Sequence, residues 1–258
     1  MHLSDDAVPL DPHAQRAADR RRWLGAFNLS LAFVLVLCVV FALQSSIDLR
    51  AWTVQPWSAA GLLGLIGAPL LHGSVEHIAA NAISLLLLGT LAGGMYPRAS
   101  ARALPLMWLG SGLGAWLLGE AGSHHLGASG LTHGLMFLVF VLGLLRRDRP
   151  AIAAAMIAFF LYGGMLLTVF PREAGISWQA HLGGAIGGVI AAALWRRLDP
   201  QAPRRMYSWE LEEEPRAMEA RAGDDPLEPP SPEEVPVLWR RPEQGDVGTV
   251  LPFRRRGE

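Results

Sequence analysis

Four polar side chains set into otherwise apolar stretches have the types that acyl-transfer chemistry needs. Ser129 sits in Gly127-Ala128-Ser129-Gly130, His181 opens a second apolar run, and His77 and Asn81 lie four residues apart at the head of a third. A serine hydroxyl is a weak nucleophile near neutral pH, and a neutral imidazole within hydrogen-bond reach removes its proton as it attacks a carbonyl. Ser129 and His181 fit these two roles. The oxyanion formed on attack needs preorganised donors. Backbone N–H groups near Ser129, at a helix N-terminus whose dipole favours negative charge, can supply some. His77 and Asn81, on one helix face, can supply side-chain donors. No Asp or Glu falls inside the core of an apolar run, so the pair would act as a dyad without a carboxylate, and a buried charge there would be costly.

Blander readings apply to each residue. A lone Ser in an Ala/Gly-rich membrane helix ordinarily packs and bonds to its own backbone, whereas a His within a span is functional by default. His133, one turn below Ser129, is read as packing against the His181 ring. His72 is read as tying down the chain before His77 by hydrogen bonds, and His124 and His125 as solvated. The soluble-hydrolase elbow Gly-x-Ser-x-Gly would need Gly at 131, where the chain has Leu131. Metal-dependent hydrolysis is the main chemical rival because there are eight His. The helix motif His-Glu-x-x-His is absent, however, since Glu76 precedes His77 and Asn81 stands in place of the second His. The paired span glutamates of membrane metal-dependent prenyl-protein proteases also have no counterpart.

The elements that must position these residues are membrane spans. With 258 residues, 51% hydrophobic and 17% charged, the chain reads as a membrane protein with one sizeable domain. All 22 basic residues are Arg and cluster at the edges of apolar runs rather than in a patch, which argues against a nucleic-acid partner. The single Cys38 permits no intrachain disulfide. Six spans are expected: Trp23 to Leu43, then about Glu76 to Tyr96, Ala103 to Gly119, Ser129 to Leu145, Ala151 to Phe170 and Gln179 to Trp195. The first is read as a retained span rather than a signal peptide. Between the first two, the mixed stretch from Gln44 to about Leu71 carries Trp52, Trp57, Pro56 and Pro69 and is expected at the membrane interface. Residues 1–22 form a cytoplasmic N-terminal segment, 23–198 the six-span domain, and 199–258, rich in Pro, Glu and Arg, a disordered cytoplasmic tail.

With the N-terminus cytoplasmic, the Arg clusters at 16–22, 98–102, 146–149 and 196–205 all fall inside, and only Arg50 and Arg172 fall outside. The second, fourth and sixth spans then descend in parallel. At the helical rise, Asn81 lies ~25 Å above Arg98, Ser129 ~25 Å above Arg146 and His181 ~22 Å above Arg196. The three residues share one level, a few ångströms below the outer surface. Gly184 and Gly188 share a side of the last span with His181, flanked by Gly183 and Gly187, so another helix can approach just below the histidine.

Three motifs together resemble the rhomboid family of intramembrane serine proteases: His72-Gly73-Ser74-Val75-Glu76-His77-Ile78-Ala79-Ala80-Asn81, Gly127-Ala128-Ser129-Gly130, and Ala180-His181-Leu182-Gly183 with Gly187. The resemblance covers roughly residues 24–197. It implies a six-helix bundle, a Ser129 nucleophile, a His181 base, and oxyanion help from His77, Asn81 and the Ser129 backbone. Gly127, Gly130, His133, Gly183, Gly187 and His72 would support the site. It further implies cleavage of membrane-anchored proteins within the bilayer near its outer surface, with no metal or cofactor, in a bacterial inner membrane. Two positions depart from the commoner pattern. The residue four after the serine, commonly an aromatic that stacks on the catalytic imidazole, is His133, as in rhombosortase-like members. The usual Trp-Arg pair of the first loop has no recognisable counterpart. The alternative from another class is a catalytically silent rhomboid-like scaffold that binds transmembrane clients.

Overall fold

The computed structural model describes residues 12–46, 48–172 and 175–199. The tail expected after Asp199, with Arg204 and Arg205, lies outside the described residues, as do residues 1–11. Seven α-helices are present among the described residues. Six are long: α1 (Pro12–Leu43), α3 (Val75–Met95), α4 (Pro97–Leu118), α5 (Ser129–Arg146), α6 (Arg149–Tyr162) and α7 (Trp178–Trp195). The short α2 (Gly64–Gly67) sits among several 3-10 turns in the connection from α1 to α3. The protein is thus an all-α membrane bundle, with a long helix in each of the six places where a span is expected.

Helix ends differ from the expected spans for local reasons. Pro97 stands at the first position of α4, where a missing N–H costs nothing, so α4 begins directly after Tyr96. The helix through the fifth span stops at Tyr162, before Gly163 and Gly164, and the chain continues through a 3-10 turn, Gly163–Leu166. Among the described residues, four helices are long and apolar enough to cross a membrane by length and composition, namely those spanning His13–Ser46, Val75–Met95, Ser129–Arg146 and Arg149–Leu166. Helix α7 is not one of these four; its buried faces are built from Gly and Ala, with Gln179 and His181 in its first turn.

Those faces fix where α7 sits. Gly183 and Gly187 face α4: a Cβ on Gly110 would come within 2.6 Å of the Gly183 carbonyl oxygen, and one on Gly187 within 2.6 Å of that of Leu106. Gly184 and Gly188 face α5, where a Cβ on Gly134 would come within 2.9 Å of the Gly184 carbonyl oxygen. Two small-residue stripes a quarter-turn apart therefore wedge α7 between α4 and α5 at backbone contact, the close approach that glycine permits in a membrane interior.

The connection from α1 to α3 folds onto the same end of the bundle as the heads of α5 and α7. Val54 and His125 exchange two backbone hydrogen bonds, at 3.0 and 2.9 Å, as an isolated antiparallel bridge. The Trp57 indole donates to the Gly119 carbonyl at 3.2 Å and the Trp116 indole to that of Ser58 at 3.0 Å. At the opposite end, Asp199 accepts from the backbone N–H groups of Arg98 (3.0 Å) and Ala99 (2.9 Å), capping the first turn of α4 from the far end of α7. Asp199 is therefore built into the bundle. Arg146 donates to the Asp199 carbonyl at 3.1 Å and to Asp148 at 3.2 Å, and its guanidinium lies 5.3 Å above the Tyr96 ring.

Candidate active site

Ser129 is the first residue of α5, so its backbone N–H belongs to the first turn, whose donors have no acceptor within the helix. The turn that aims it depends on Gly127, with φ of 116°, a region that side-chain-bearing residues rarely adopt. A Cβ there would also lie 2.6 Å from both Cε1 and Nε2 of His77. Gly127 thus reverses the chain and lets the His77 ring lie against the backbone just before the serine. Gly130 is equally constrained, since a Cβ would come within 2.6 Å of the Ala180 carbonyl oxygen. That contact sets α5 directly beside the head of α7.

The result is a short contact between the two residues expected to do the chemistry: Ser129 Oγ lies 2.8 Å from His181 Nε2. The other ring nitrogen, Nδ1, lies 3.0 Å from the Thr168 carbonyl oxygen. A carbonyl only accepts, so Nδ1 carries the hydrogen and Nε2 presents its lone pair to the serine hydroxyl. His181 therefore has the tautomer that a general base would require, fixed by a backbone oxygen where a soluble hydrolase would use a carboxylate.

His133 stacks on His181 with ring centroids 3.9 Å apart and planes inclined by 13°, the packing expected of it. It is also hydrogen-bonded at both nitrogens, through Nδ1 to the Ser129 carbonyl oxygen at 2.6 Å and through Nε2 to Thr168 Oγ1 at 2.8 Å. His77 and Asn81 line the same cavity as Ser129 and His181, a space of about 990 Å³. Asn81 Nδ2 donates one hydrogen to the His77 carbonyl at 3.1 Å, and an amide has a second to offer.

His72 ties its loop down by hydrogen bonds, as expected, though not through its ring. Its hydrogen bonds are made by its backbone, with the Gln44 side chain at 2.6 and 3.3 Å. Both ring nitrogens are buried with no hydrogen-bond partner among the described residues, and the ring meets His77 edge-on, 5.0 Å between centroids. Burial and then the neighbouring His77 push its pKa down to about 4, so the ring is neutral near pH 7. It supports His77 by packing. His124 and His125 are not merely solvated. His124 Nδ1 lies 2.8 Å from Thr53 Oγ1. His125 joins Ser123 Oγ (2.9 Å) to Ser177 Oγ (2.7 Å), the N-cap of α7. Burial pushes the His125 pKa down as well. Thr168 and Ser177 carry no signal in the sequence, because what they contribute depends on which loop meets which helix.

Residues 59–198 match the Rhomboid domain, a region that runs from the turn before α2 to the end of α7. The chain belongs to the rhomboid family. Among its relatives, an uncharacterised protein of Mycobacterium tuberculosis is 39% identical over 202 residues, 72% of this chain and 81% of its own length. A Mycobacterium bovis protein, also uncharacterised, matches with the same identity and coverage. One from Mycobacterium leprae is 40% identical over 187 residues, 68% of this chain and 73% of its own. The rhomboid family is in general one of intramembrane serine proteases, so this chain is an integral membrane protein of an intramembrane-protease family.

Proposed function

We propose that this rhomboid is an active serine endopeptidase that cleaves transmembrane protein substrates near the outer membrane face, with Ser129 as nucleophile and His181 as general base. The observation that carries the reading is the 2.8 Å contact from Ser129 Oγ to His181 Nε2 beside a cavity of about 990 Å³. A water-accessible space of that size, next to a hydroxyl and an imidazole in an apolar bundle, can take an unwound peptide segment. Ser129 Oγ attacks the scissile carbonyl carbon while Nε2 takes the hydroxyl proton. The resulting imidazolium keeps its Nδ1–H on the Thr168 carbonyl, whose partial negative charge stabilises the cation. The tetrahedral oxyanion is held by the Ser129 N–H, the free amide hydrogen of Asn81 and the His77 ring. Nε2–H then protonates the leaving amine, and the acyl-enzyme is hydrolysed by water with His181 again as base.

The distribution of Arg supports cytoplasmic termini and a site opening to the outer side of a bacterial inner membrane, with six spans in residues 23–198 and a cytoplasmic tail beyond. His133, in place of the commoner aromatic, supports a rhombosortase-like branch. Purified wild type and Ser129→Ala, reconstituted in proteoliposomes with a panel of single-span substrates, test the proposal. Wild type cleaves and the variant does not. Equal cleavage by both, or none by either across the panel, contradicts it and favours the silent scaffold.

A further inference from the structure

The bonds around the two stacked imidazoles close on themselves. Ser129 Oγ meets His181 Nε2 at 2.8 Å, and His181 Nδ1 meets the Thr168 carbonyl at 3.0 Å. Thr168 Oγ1 meets His133 Nε2 at 2.8 Å, and His133 Nδ1 meets the Ser129 carbonyl at 2.6 Å. Two of the four acceptors are carbonyl oxygens, which leaves one arrangement of hydrogens for neutral rings. Ser129 donates to His181, His181 to Thr168, Thr168 to His133 and His133 back to Ser129. Within the ring each residue donates once and accepts once, and the Ser129 carbonyl also accepts from Thr132 Oγ1 at 2.7 Å. The only other acceptor recorded for the Thr168 hydroxyl is the Met165 carbonyl, at the longer distance of 3.1 Å.

This ring is a directional, polar tie between two pieces of chain. Ser129 and His133 are on α5; Thr168 lies in the segment between α6 and α7, where Met165 and Leu166 pack against the core and Val169 is buried, apolar contacts that are non-directional and do not fix where a carbonyl oxygen points. A carbonyl oxygen on such a segment is a poor clamp for a catalytic imidazole unless the segment is itself held. The Thr168 hydroxyl supplies that hold through His133. An aromatic hydrocarbon ring at position 133 could stack on His181 but could not accept a hydrogen bond from Thr168.

We infer that Thr168 is a positioning residue for His181: its carbonyl sets the tautomer of the base, and its hydroxyl, through His133, fixes that carbonyl relative to the serine helix. The inference rests on the proteolytic reading for its consequence, though the ring can be observed without activity. The test uses the full chain in detergent micelles with three variants, Thr168→Val, Thr168→Ser and His133→Phe. Active sites are titrated with a fluorophosphonate, so that rates refer to folded, reactive molecules. Thr168→Val is nearly isosteric and removes only the hydroxyl. It is expected to lower kcat about ten- to a hundredfold with little change in KM. Thr168→Ser restores the rate, and His133→Phe, which keeps the stack, falls as far as Thr168→Val. Nitrogen-15 spectra of the histidine rings read the ring directly. They should place hydrogen on Nδ1 of both His181 and His133 in wild type, with only His133 released in Thr168→Val.

Thr168→Val with wild-type kcat, or Thr168→Ser as slow as Thr168→Val, overturns the positioning role while leaving the proteolytic reading intact. Hydrogen on Nε2 of His133 in wild type overturns the ring itself. If the wild-type rings carry their hydrogens as expected but the protein neither labels nor cleaves, the proteolytic reading falls, and the positioning role falls with it.

Discussion

The two ends of this bundle hold polar clusters that both draw on α5 and α7 and differ in chemistry. At one end Asp199, Arg146, Asp148 and the first turn of α4 meet as charges. Every Asp199 contact is a short bond to a backbone donor or to Arg146, and the carboxylate joins segments 100 residues apart. At the other, Ser129, His181, His133, His77 and Asn81 line a cavity, none of them a carboxylate or a guanidinium, while Glu120 and Arg172 also border the space. Charges matched to one another and to helix ends are at a low point in energy and have nothing left to give a substrate. Neutral hydroxyls and imidazoles beside open space keep a lone pair and unshared hydrogens that a peptide can use. The contrast shows why the same polar content can be a clasp at one end and a reaction centre at the other.

Substitutions should divide the ends cleanly. The largest effect is expected at the nucleophile: Ser129→Ala lowers kcat by at least about a thousandfold, with thermal stability in detergent close to wild type. Next is Asn81→Ala, which takes away one oxyanion donor and should cost about a hundredfold in kcat with KM little changed, read by steady-state cleavage. At the clasp the pattern reverses. Asp199→Ala leaves the two α4 N–H groups without their acceptor and should lower stability by about 1–3 kcal/mol, while kcat per titrated active site stays within a few-fold of wild type. A large kcat loss in Asp199→Ala at full stability would break the division, because it would put the distant end into the chemistry.

A smaller effect comes from pH. The His72 ring binds its proton in the fold only near pH 4, against 6.5 for the free side chain. Between those values the unfolded chain takes up a proton that the folded chain refuses, so the stability present above 6.5 is lost as pH falls toward 4. Thermal unfolding in detergent from pH 7 to 4.5 should show this loss in wild type and a shallower one in His72→Phe. An identical slope in both would mean that another group is responsible.

Much of this was open to sequence reasoning because membrane spans announce themselves and Arg marks their ends. Counting from Arg98, Arg146 and Arg196 put Asn81, Ser129 and His181 at one level, and the glycines of α7 indicated that something could approach below His181. What the count could not supply was adjacency. Gly183 and Gly187 meet α4, whereas Gly184 and Gly188 meet α5, and only the second stripe brings His181 to the serine. The Thr168 carbonyl was invisible for a plainer reason, since every residue carries one and only the fold selects which oxygen faces a ring. The same holds for Asp199, which reads as the start of a polar tail until its carboxylate is seen on the first turn of α4. His72 does tie its loop down, and what the sequence could not tell is that its backbone makes the bonds while the ring is enclosed.

The central claim is that the cavity end holds a nucleophilic serine made reactive by His181. It is tested most directly by treating the full chain in detergent micelles with a fluorophosphonate and locating the adduct by peptide mass spectrometry. The account predicts one label, on Ser129, formed at a rate that falls at least about a thousandfold in His181→Ala. A label on a different serine, labelling that is indifferent to His181, or no adduct at all would contradict it.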